Sequence, residues 1–195
     1  MVENVEIMGI CYNIKNTIAL DLCNRQLSIL PNYIGCLTNL QRLWLNNNQL
    51  TEINSIGNLT NLKYLYLSNN KLTVIPNSIK NLTNLRELYL NNNSLSNIPD
   101  SIMYLPKLHS LLLNDNKLTN ISSSILTISN KIYLNESSYQ INYLDSECEF
   151  LLFNSLSTSL TNLPYNLKEL WLSKSINIEN LVIKLPYCCK IKYFY

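Results

Sequence analysis

The side chains able to do chemistry are few and scattered in this chain. There is one histidine, His109, which removes every multi-histidine metal site. It stands on an exposed rim beside Ser110, and no cysteine shares its register to form a Cys-His pair. Six cysteines occur: Cys11, Cys23, Cys36, Cys148, Cys188 and Cys189. The last two are adjacent and the first three lie 12 or 13 residues apart, so neither group has the intervals that hold zinc. Cys23 falls on an outward row, but its low-charge surroundings supply nothing to lower its pKa towards a reactive thiolate. Three glycines could hardly build a phosphate-cradling loop. Glu87 and Glu169 are too many units apart to share acid–base work. The chain therefore reads as no enzyme, with no catalytic residues, no metal and no cofactor.

Composition points to a packed body without large fields. The 195 residues fall in single-domain range. Apolar residues make up 47% and charged residues 14%, against a usual charged share of about 25%. A net charge of +2 offers no broad basic surface for nucleic acid or anionic lipid. The opening MVENVEIMGI lacks the charged and long apolar regions of a secretory signal. No apolar run approaches the ~20 residues of a membrane span. The reading is cytoplasmic, not secreted and not membrane-bound, with the thiols free and buried. The sequons at Asn58, Asn81, Asn92, Asn120 and Asn135 are then incidental, several of them to the recurring string Asn-Leu-Thr. Glycine is rare and asparagine abundant; asparagine can serve the turns instead, because it tolerates left-handed backbone.

The elements that position everything are repeats. The unit L-x-x-L-x-L-x-x-N-x-L-x-x-I-P-x-x-I-x-x-L-x-N runs from Leu40 through Leu43, Leu45 and Asn48 to Leu50. It returns at Leu62–Leu72 around Asn70, at Leu85–Leu95 around Asn93, and at Leu108–Leu118 around Asn116. An earlier copy near Thr17 has Arg25 in place of the asparagine, and a later one starts near Lys131 with Leu134 and Ile141. The spacing is about 23, within the range of one known solenoid class. Leucines two apart point to one side of a strand. A single unit cannot bury that side, but stacked neighbours bury a continuous column. The ninth-position asparagine should turn the chain out of the strand, and the Pro-led second half, as at Pro76-Asn-Ser-Ile79, suits a turn or two of helix.

This pattern resembles the leucine-rich repeat over roughly residues 17–140. Its Ile-Pro-x-x-Ile turns (Ile75-Pro76…Ile79, Ile98-Pro99…Ile102) are similar to the intracellular scaffold-type subclass. The resemblance implies an α/β solenoid, a horseshoe with a parallel β-sheet on the concave face and short helices, 3-10 turns or loops on the convex face. It also implies that the carboxamides of Asn48, Asn70, Asn93 and Asn116 form a ladder bonded to backbone of adjacent units. Residues 1–16 would be an N-terminal cap, with one irregular strand around Val5 to Cys11.

Residues 141–195 depart from the pattern. Two Leu-Pro pairs, Leu163-Pro164 and Leu185-Pro186, stand 22 residues apart. With Ile176-Asn177-Ile178 they resemble the FNIP repeat, common in social amoebae and in giant viruses of amoebae. Enrichment in Asn, Ile, Tyr and Lys fits an AT-rich source of either kind. Lys190 to Tyr195 would form an edge strand, blunted by alternating lysine and aromatic residues.

If the leucines point inward, the positions between them point out. One row reads Asp21, Trp44, Tyr66, Tyr89, Leu112, Asn135 and Trp171. The row two positions earlier reads Ala19, Arg42, Tyr64, Glu87, Ser110, Tyr133 and Glu169. Trp, Tyr and Arg dominate binding energy at interfaces, so Arg42, Trp44, Tyr64, Tyr66, Glu87, Tyr89 and Leu112 are the expected partner-binding residues. The alternative is that the rings only stack on one another and stabilise the sheet by about 0.2–1 kcal/mol per pair. The expected function is a non-catalytic protein-binding module or adaptor acting through the concave face. The competing function is a structural spacer in a particle or large complex. The resemblance implies a partner such as a signalling or ubiquitin-pathway protein, in the host cytoplasm if the protein is viral. Nucleic acid is disfavoured, since Arg42, Lys63 and Arg86 are few and Glu87 and Asp115 share their face.

Overall fold

In the computed structural model, the structure describes residues 3–118, 131–134, 150–153, 163, 167–174, 176–179 and 181–194. Nine short parallel strands stack in one sheet. They are β3 (Ala19–Asp21), β4 (Arg42–Trp44), β5 (Tyr64–Tyr66), β6 (Glu87–Tyr89), β7 (Ser110–Leu112), β8 (Lys131–Leu134), β9 (Phe150–Phe153), β10 (Glu169–Ser173) and β11 (Lys190–Phe194), paired in sequence order with β3 and β11 at the edges. Leu20, Leu43, Leu65, Leu88 and Leu111 fall opposite one another in register. Leu43, Leu65, Leu88 and Leu111 are sealed from solvent, as are Leu45, Leu67, Leu90 and Leu113 two residues on. Burying such a side chain contributes about 1.5–3 kcal/mol, and each side chain is covered by the repeat on either side. This is a leucine-rich-repeat solenoid.

The opposite side is built from 3-10 helices: η1 (Asn32–Cys36), η2 (Asn54–Asn58), η3 (Asn77–Asn81) and η4 (Asp100–Tyr104). The apolar spacing explains why they are not α-helical. Ile34, Leu37 and Leu40 are three apart, and all three are fully buried. A 3-10 helix eclipses side chains at i and i+3, whereas an α-helix would swing them apart. The bonds Ile34 N–H to Pro31 O, Leu37 N–H to Ile34 O and Leu40 N–H to Leu37 O, all 2.9–3.0 Å, follow that three-residue step. Pro31, Pro76 and Pro99 precede η1, η3 and η4. Gly57 lets η2 and η3 close up, because a Cβ there would lie 2.5 Å from the Cβ of Ser78 and 2.9 Å from its carbonyl oxygen.

Exit from β4, β5 and β6 is divided between two asparagines rather than assigned to one. The left-handed residue is the eighth, not the ninth: Asn24, Asn47, Asn69, Asn92 and Asp115 have φ between 55° and 59°. Asparagine and aspartate bear that conformation better than most L-residues, which corrects the turn role expected of the ninth position. The ninth residue keeps its side chain inside. Asn70 Nδ2 donates to Leu67 O of its own repeat and to Leu45 O of the one before, both at 3.0 Å. Its Oδ1 accepts from Leu50 N–H at 3.0 Å. Asn48, Asn93 and Asn116 make the same backward contacts. Leu45 O thus receives both Asn48 and Asn70, and Leu67 O both Asn70 and Asn93. Because every such side chain reaches to the preceding repeat, the first repeat needs none. Arg25 contributes only its backbone N–H, accepted by Asn48 Oδ1 at 3.0 Å.

The N-terminal segment is a hairpin rather than a single irregular strand. β1 (Asn4–Ile7) pairs antiparallel with β2 (Ile10–Asn13). Met8 and Gly9 between them both take positive φ, 54° and 76°, as a two-residue primed turn requires. Val5 and Ile7 are buried, and β1 packs against η1. The step between strands shortens beyond β7. Leu111, Ile132, Leu151, Leu170 and Ile191 are in line at intervals of 19–21 residues. The sixth unit is accordingly two residues out of the expected register: Tyr133, not Asn135, lies opposite Leu112, and Lys131 opposite Ser110. Compensating for the shorter step shifts every position in that strand. Asn120, Asn135, Cys148 and most of 141–162 lie outside the described residues.

Asn70→Ala leaves the Leu50 N–H without its acceptor and removes three bonds, at a cost of about 2–4 kcal/mol. Arg25→Ala at the equivalent position changes stability by less than about 0.5 kcal/mol. Urea unfolding of the two variants measures the difference, and equal losses would contradict the backward-reaching ladder. Gly57→Ala should cost about 1–3 kcal/mol through overpacking, read as a lower thermal midpoint.

Candidate functional site

The outward face of β4–β7 carries the residues expected to bind. Cα register places Trp44 beside Tyr66, Tyr66 beside Tyr89, and Tyr89 beside Leu112, with Arg42, Tyr64, Glu87 and Ser110 in the neighbouring row. Successive strands are about 4.8 Å apart, which brings the rings into contact. Trp44 and Tyr66 stack with centroids 6.1 Å apart and planes at 20°. Tyr66 and Tyr89 meet edge to face at 4.8 Å and 67°. The Arg42 guanidinium lies 5.5 Å from the Tyr64 ring centroid, a cation–π contact of about 0.5–1 kcal/mol at an exposed position. Trp44, Tyr64, Tyr66, Tyr89 and Leu112 are all half-buried and Arg42 is exposed, while Ser110 is buried.

Glu87 is held inside this row. Its Oε2 accepts the Tyr66 phenol at 3.0 Å. Partial burial first, and then that carboxylate, push the Tyr66 pKa well above the ordinary tyrosine range. Removing the phenolic proton would place two negative charges side by side under a ring stack. A polar row two positions further along is also tied together: Asn46 Oδ1 accepts Ser68 N–H at 2.9 Å, and Ser68 Oγ donates to Asn91 Oδ1 at 2.6 Å. The face is thus prearranged, with rings and polar groups fixed by neighbours across strands.

Two further asparagine series brace this arrangement. The left-handed asparagines link side chain to side chain, Asn69 Nδ2 to Asn47 Oδ1 and Asn92 Nδ2 to Asn69 Oδ1. The asparagine closing each repeat binds the carbonyl of the repeat before: Asn39 to Lys15 O, Asn61 to Thr38 O and Asn84 to Thr60 O, at 2.9–3.1 Å. The sequence carries this series as the repeated Thr-Asn-Leu at Thr38, Thr60 and Thr83.

A second cluster sits on β10 and β11. Glu169 accepts Trp171 Nε1–H at 2.7 Å and pairs with Lys192, whose ammonium lies 5.1 Å from the Trp171 centroid. The hydrogen bond from Lys192, then that from Trp171, holds the Glu169 carboxyl below its usual range.

The thiols are less enclosed than expected. Cys11, Cys36 and Cys188 are exposed, and Cys23 and Cys189 half-buried. None of these five is part of the buried leucine column, although Cys189 packs against it. Burial raises the Cys23 thiol, and the hydrogen bond with Asp21 adds to it. Cys189 is raised by burial as well. Both shifts disfavour the thiolate a nucleophile needs. His109 is exposed. Among the described residues no three His, Cys, Asp or Glu side chains converge, and no helix is long and apolar enough to cross a membrane.

Comparison with known proteins agrees with this architecture. Residues 60–103 match the family model described as Leucine Rich repeats (2 copies), and residues 39–59 match that of the Leucine Rich Repeat. No curated protein matches the chain in sequence. Among solved structures, a leucine-rich-repeat protein of Leptospira interrogans is similar at 29% identity and a TM-score of 0.62, over 89% of this chain and 53% of that one. The leucine-rich-repeat domain of APL1B is similar in fold, at 22% identity and a TM-score of 0.58, over 86% of this chain and 49% of that one. This chain spans about half the length of either. Leucine-rich-repeat domains are in general protein-interaction modules without catalysis of their own.

The raised Tyr66 pKa has a stability consequence. Below the ordinary tyrosine pKa the phenol is protonated in both folded and unfolded chains, and its contribution is intact. As pH rises past that value, the unfolded chain ionises first and the contribution is lost. Tyr66→Phe should therefore flatten the alkaline decline of stability while costing about 0.5–1.5 kcal/mol at neutral pH through the lost bond to Glu87. Denaturant unfolding at neutral and alkaline pH measures both effects.

Proposed function

We propose that this chain is a non-catalytic protein-binding module, an adaptor that engages its partner through the concave sheet face of the solenoid. The observation that carries the reading is the run of mutually packed rings Trp44, Tyr66 and Tyr89, flanked by Arg42 over Tyr64. Rings fixed before binding lose little conformational freedom on contact, which makes them efficient anchors. Arg42, Trp44, Tyr64, Tyr66, Glu87, Tyr89 and Leu112 form the contact surface. Asn48, Asn70, Asn93 and Asn116 form the ladder that supports it. Among the described residues, the Cys23 and Cys189 thiols are raised and no three His, Cys, Asp or Glu side chains converge.

We read residues 1–16 as an N-terminal cap, 17–140 as repeats of the intracellular scaffold-like type, and 141–195 as degenerate and FNIP-like repeats ending in a cap. A cytoplasmic setting, in an amoeba or under a giant virus of amoebae, fits the composition. A signalling or ubiquitin-pathway protein is a partner of the kind such a module takes.

The test is capture with purified chain from cells, with bound proteins identified by mass spectrometry. Tyr66→Ser combined with Tyr89→Ser removes ring contacts worth about 0.5–1.5 kcal/mol per pair and leaves the leucine column intact. The fold should persist by circular dichroism while the partner is lost. Capture that survives the double change would sink the proposal. Capture that depends instead on β11 would favour the spacer.

A further inference from the structure

A line of cations runs beside the ring row, one residue ahead of the strands. Backbone bonds put its members in register: Gln41 N–H to Ile18 O, Lys63 N–H to Gln41 O, Arg86 N–H to Lys63 O and His109 N–H to Arg86 O, at 2.8–2.9 Å. These residues extend the ladder past the ends of β4–β7, so Lys63, Arg86 and His109 stand on neighbouring repeats at strand spacing, about 4.8 Å. Arg42 joins the line from the first position of β4. Arg42, Arg86 and His109 are exposed and Lys63 is half-buried.

Arg42, Lys63 and Arg86 have no carboxylate partner among the described residues. Among the described residues, the ion pair formed is Lys192 with Glu169, on strands far along the stack. Lys63 Nζ donates to the neutral amide oxygen of Gln41 at 3.0 Å. Arg42 lies over the Tyr64 ring. Glu87 is the carboxylate on the same strands, and its Oε2 is taken by the Tyr66 phenol. Asp21, opposite Trp44 in register, receives the Cys23 N–H at 2.9 Å. Like charges on adjacent strands repel, and among the described residues no ion pair offsets that repulsion here.

Resting on the docking reading above, we propose that the partner presents an acidic peptide segment. Its Asp or Glu side chains meet Arg42, Lys63 and Arg86, while an adjacent apolar or aromatic side chain lies on Trp44, Tyr66 and Tyr89. The arrangement is a ring patch with a cationic margin on one side and the neutral Asn46–Ser68–Asn91 row on the other. A segment lying across the strands therefore has its charged side specified. Complementary charge at a margin speeds encounter and selects partners more than it deepens affinity. A nucleic acid fits less well, because a phosphate backbone draws on more cations than three, and Glu87 stands among them.

Selection of binders to the full chain from a random dodecapeptide library tests this. Asp and Glu should be enriched beside Leu, Phe, Trp or Pro. A selected peptide, synthesised with a fluorescent label, should bind on the order of tenfold more weakly to a Lys63→Gln/Arg86→Gln variant, with a shallower salt dependence. It should fail to bind the Tyr66→Ser/Tyr89→Ser variant. Neutral or basic selected sequences overturn the acidic partner. So does affinity unchanged in Lys63→Gln/Arg86→Gln, and the docking row survives if Tyr66→Ser/Tyr89→Ser still abolishes binding. Peptides that bind the Tyr→Ser variant equally well, or no selection above it, overturn the docking row itself. Tighter binding of labelled oligothymidylate than of the acidic peptide overturns the proposal in favour of single-stranded nucleic acid.

Discussion

The coils that carry β4 to β7 must each end their strand without stranding a backbone group in the leucine core, and the ninth-position carboxamide meets that constraint. Each Nδ2 spends one hydrogen on the carbonyl of its own repeat and one on the repeat before, while Oδ1 takes an amide from the same earlier coil. The sixth-position carbonyls Leu45 O and Leu67 O each receive two such donors. A buried polar group is tolerated only when paired, so the carboxamide lets a three-residue strand sit directly on an apolar column. Its direction also explains a departure from the pattern. A side chain that reaches backward has nothing to reach in the first repeat, and arginine can stand there.

That ladder fixes the spacing of everything on the other face. Strands locked at one register and one distance put residues of the same position side by side, whatever their chemistry. Where those residues are Trp44, Tyr66 and Tyr89, the result is a packed run of rings. Where they are Lys63, Arg86 and His109, it is a line of two cations and one imidazole with no carboxylate partner among the described residues. Neither run needs a cavity or a mobile loop. The scaffold spends its buried asparagines and leucines on rigidity, and the outward positions are left free to vary with little effect on the core.

The later strands show how far the scaffold bends its own rule. Between β7 and β11 the step shortens, yet Leu111, Ile132, Leu151, Leu170 and Ile191 still align. Parallel pairing with an apolar residue at mid-strand is therefore more basic to the stack than a fixed repeat length. Leu170 and Leu172 are fully buried, whereas Ile191 on the edge strand is only partly so, as expected of a column with no strand paired beyond it.

The leucine period by itself determined the solenoid, because residues two apart must share a face and a single unit cannot bury it. It also identified the outward rows from Arg42 to Leu112, since their position follows from the same alternation. The three-residue apolar step Ile34, Leu37, Leu40 held the 3-10 geometry in plain view, although short helix remained open on the sequence alone. Tertiary structure decided what local pattern cannot express. It moved the left-handed turn to Asn47, Asn69 and Asn92, because strand exit depends on the neighbouring coil. It shifted Tyr133 into line with Leu112, because register is set by pairing and not by counting from a degenerate consensus. It folded residues 4–13 into a hairpin against η1, and it left the five described thiols out of the buried column. It also decided which charges are answered: Glu87 by a phenol, Glu169 by Lys192, and Lys63 and Arg86 by no carboxylate among the described residues, since only the distances between repeats determine which side chains can meet.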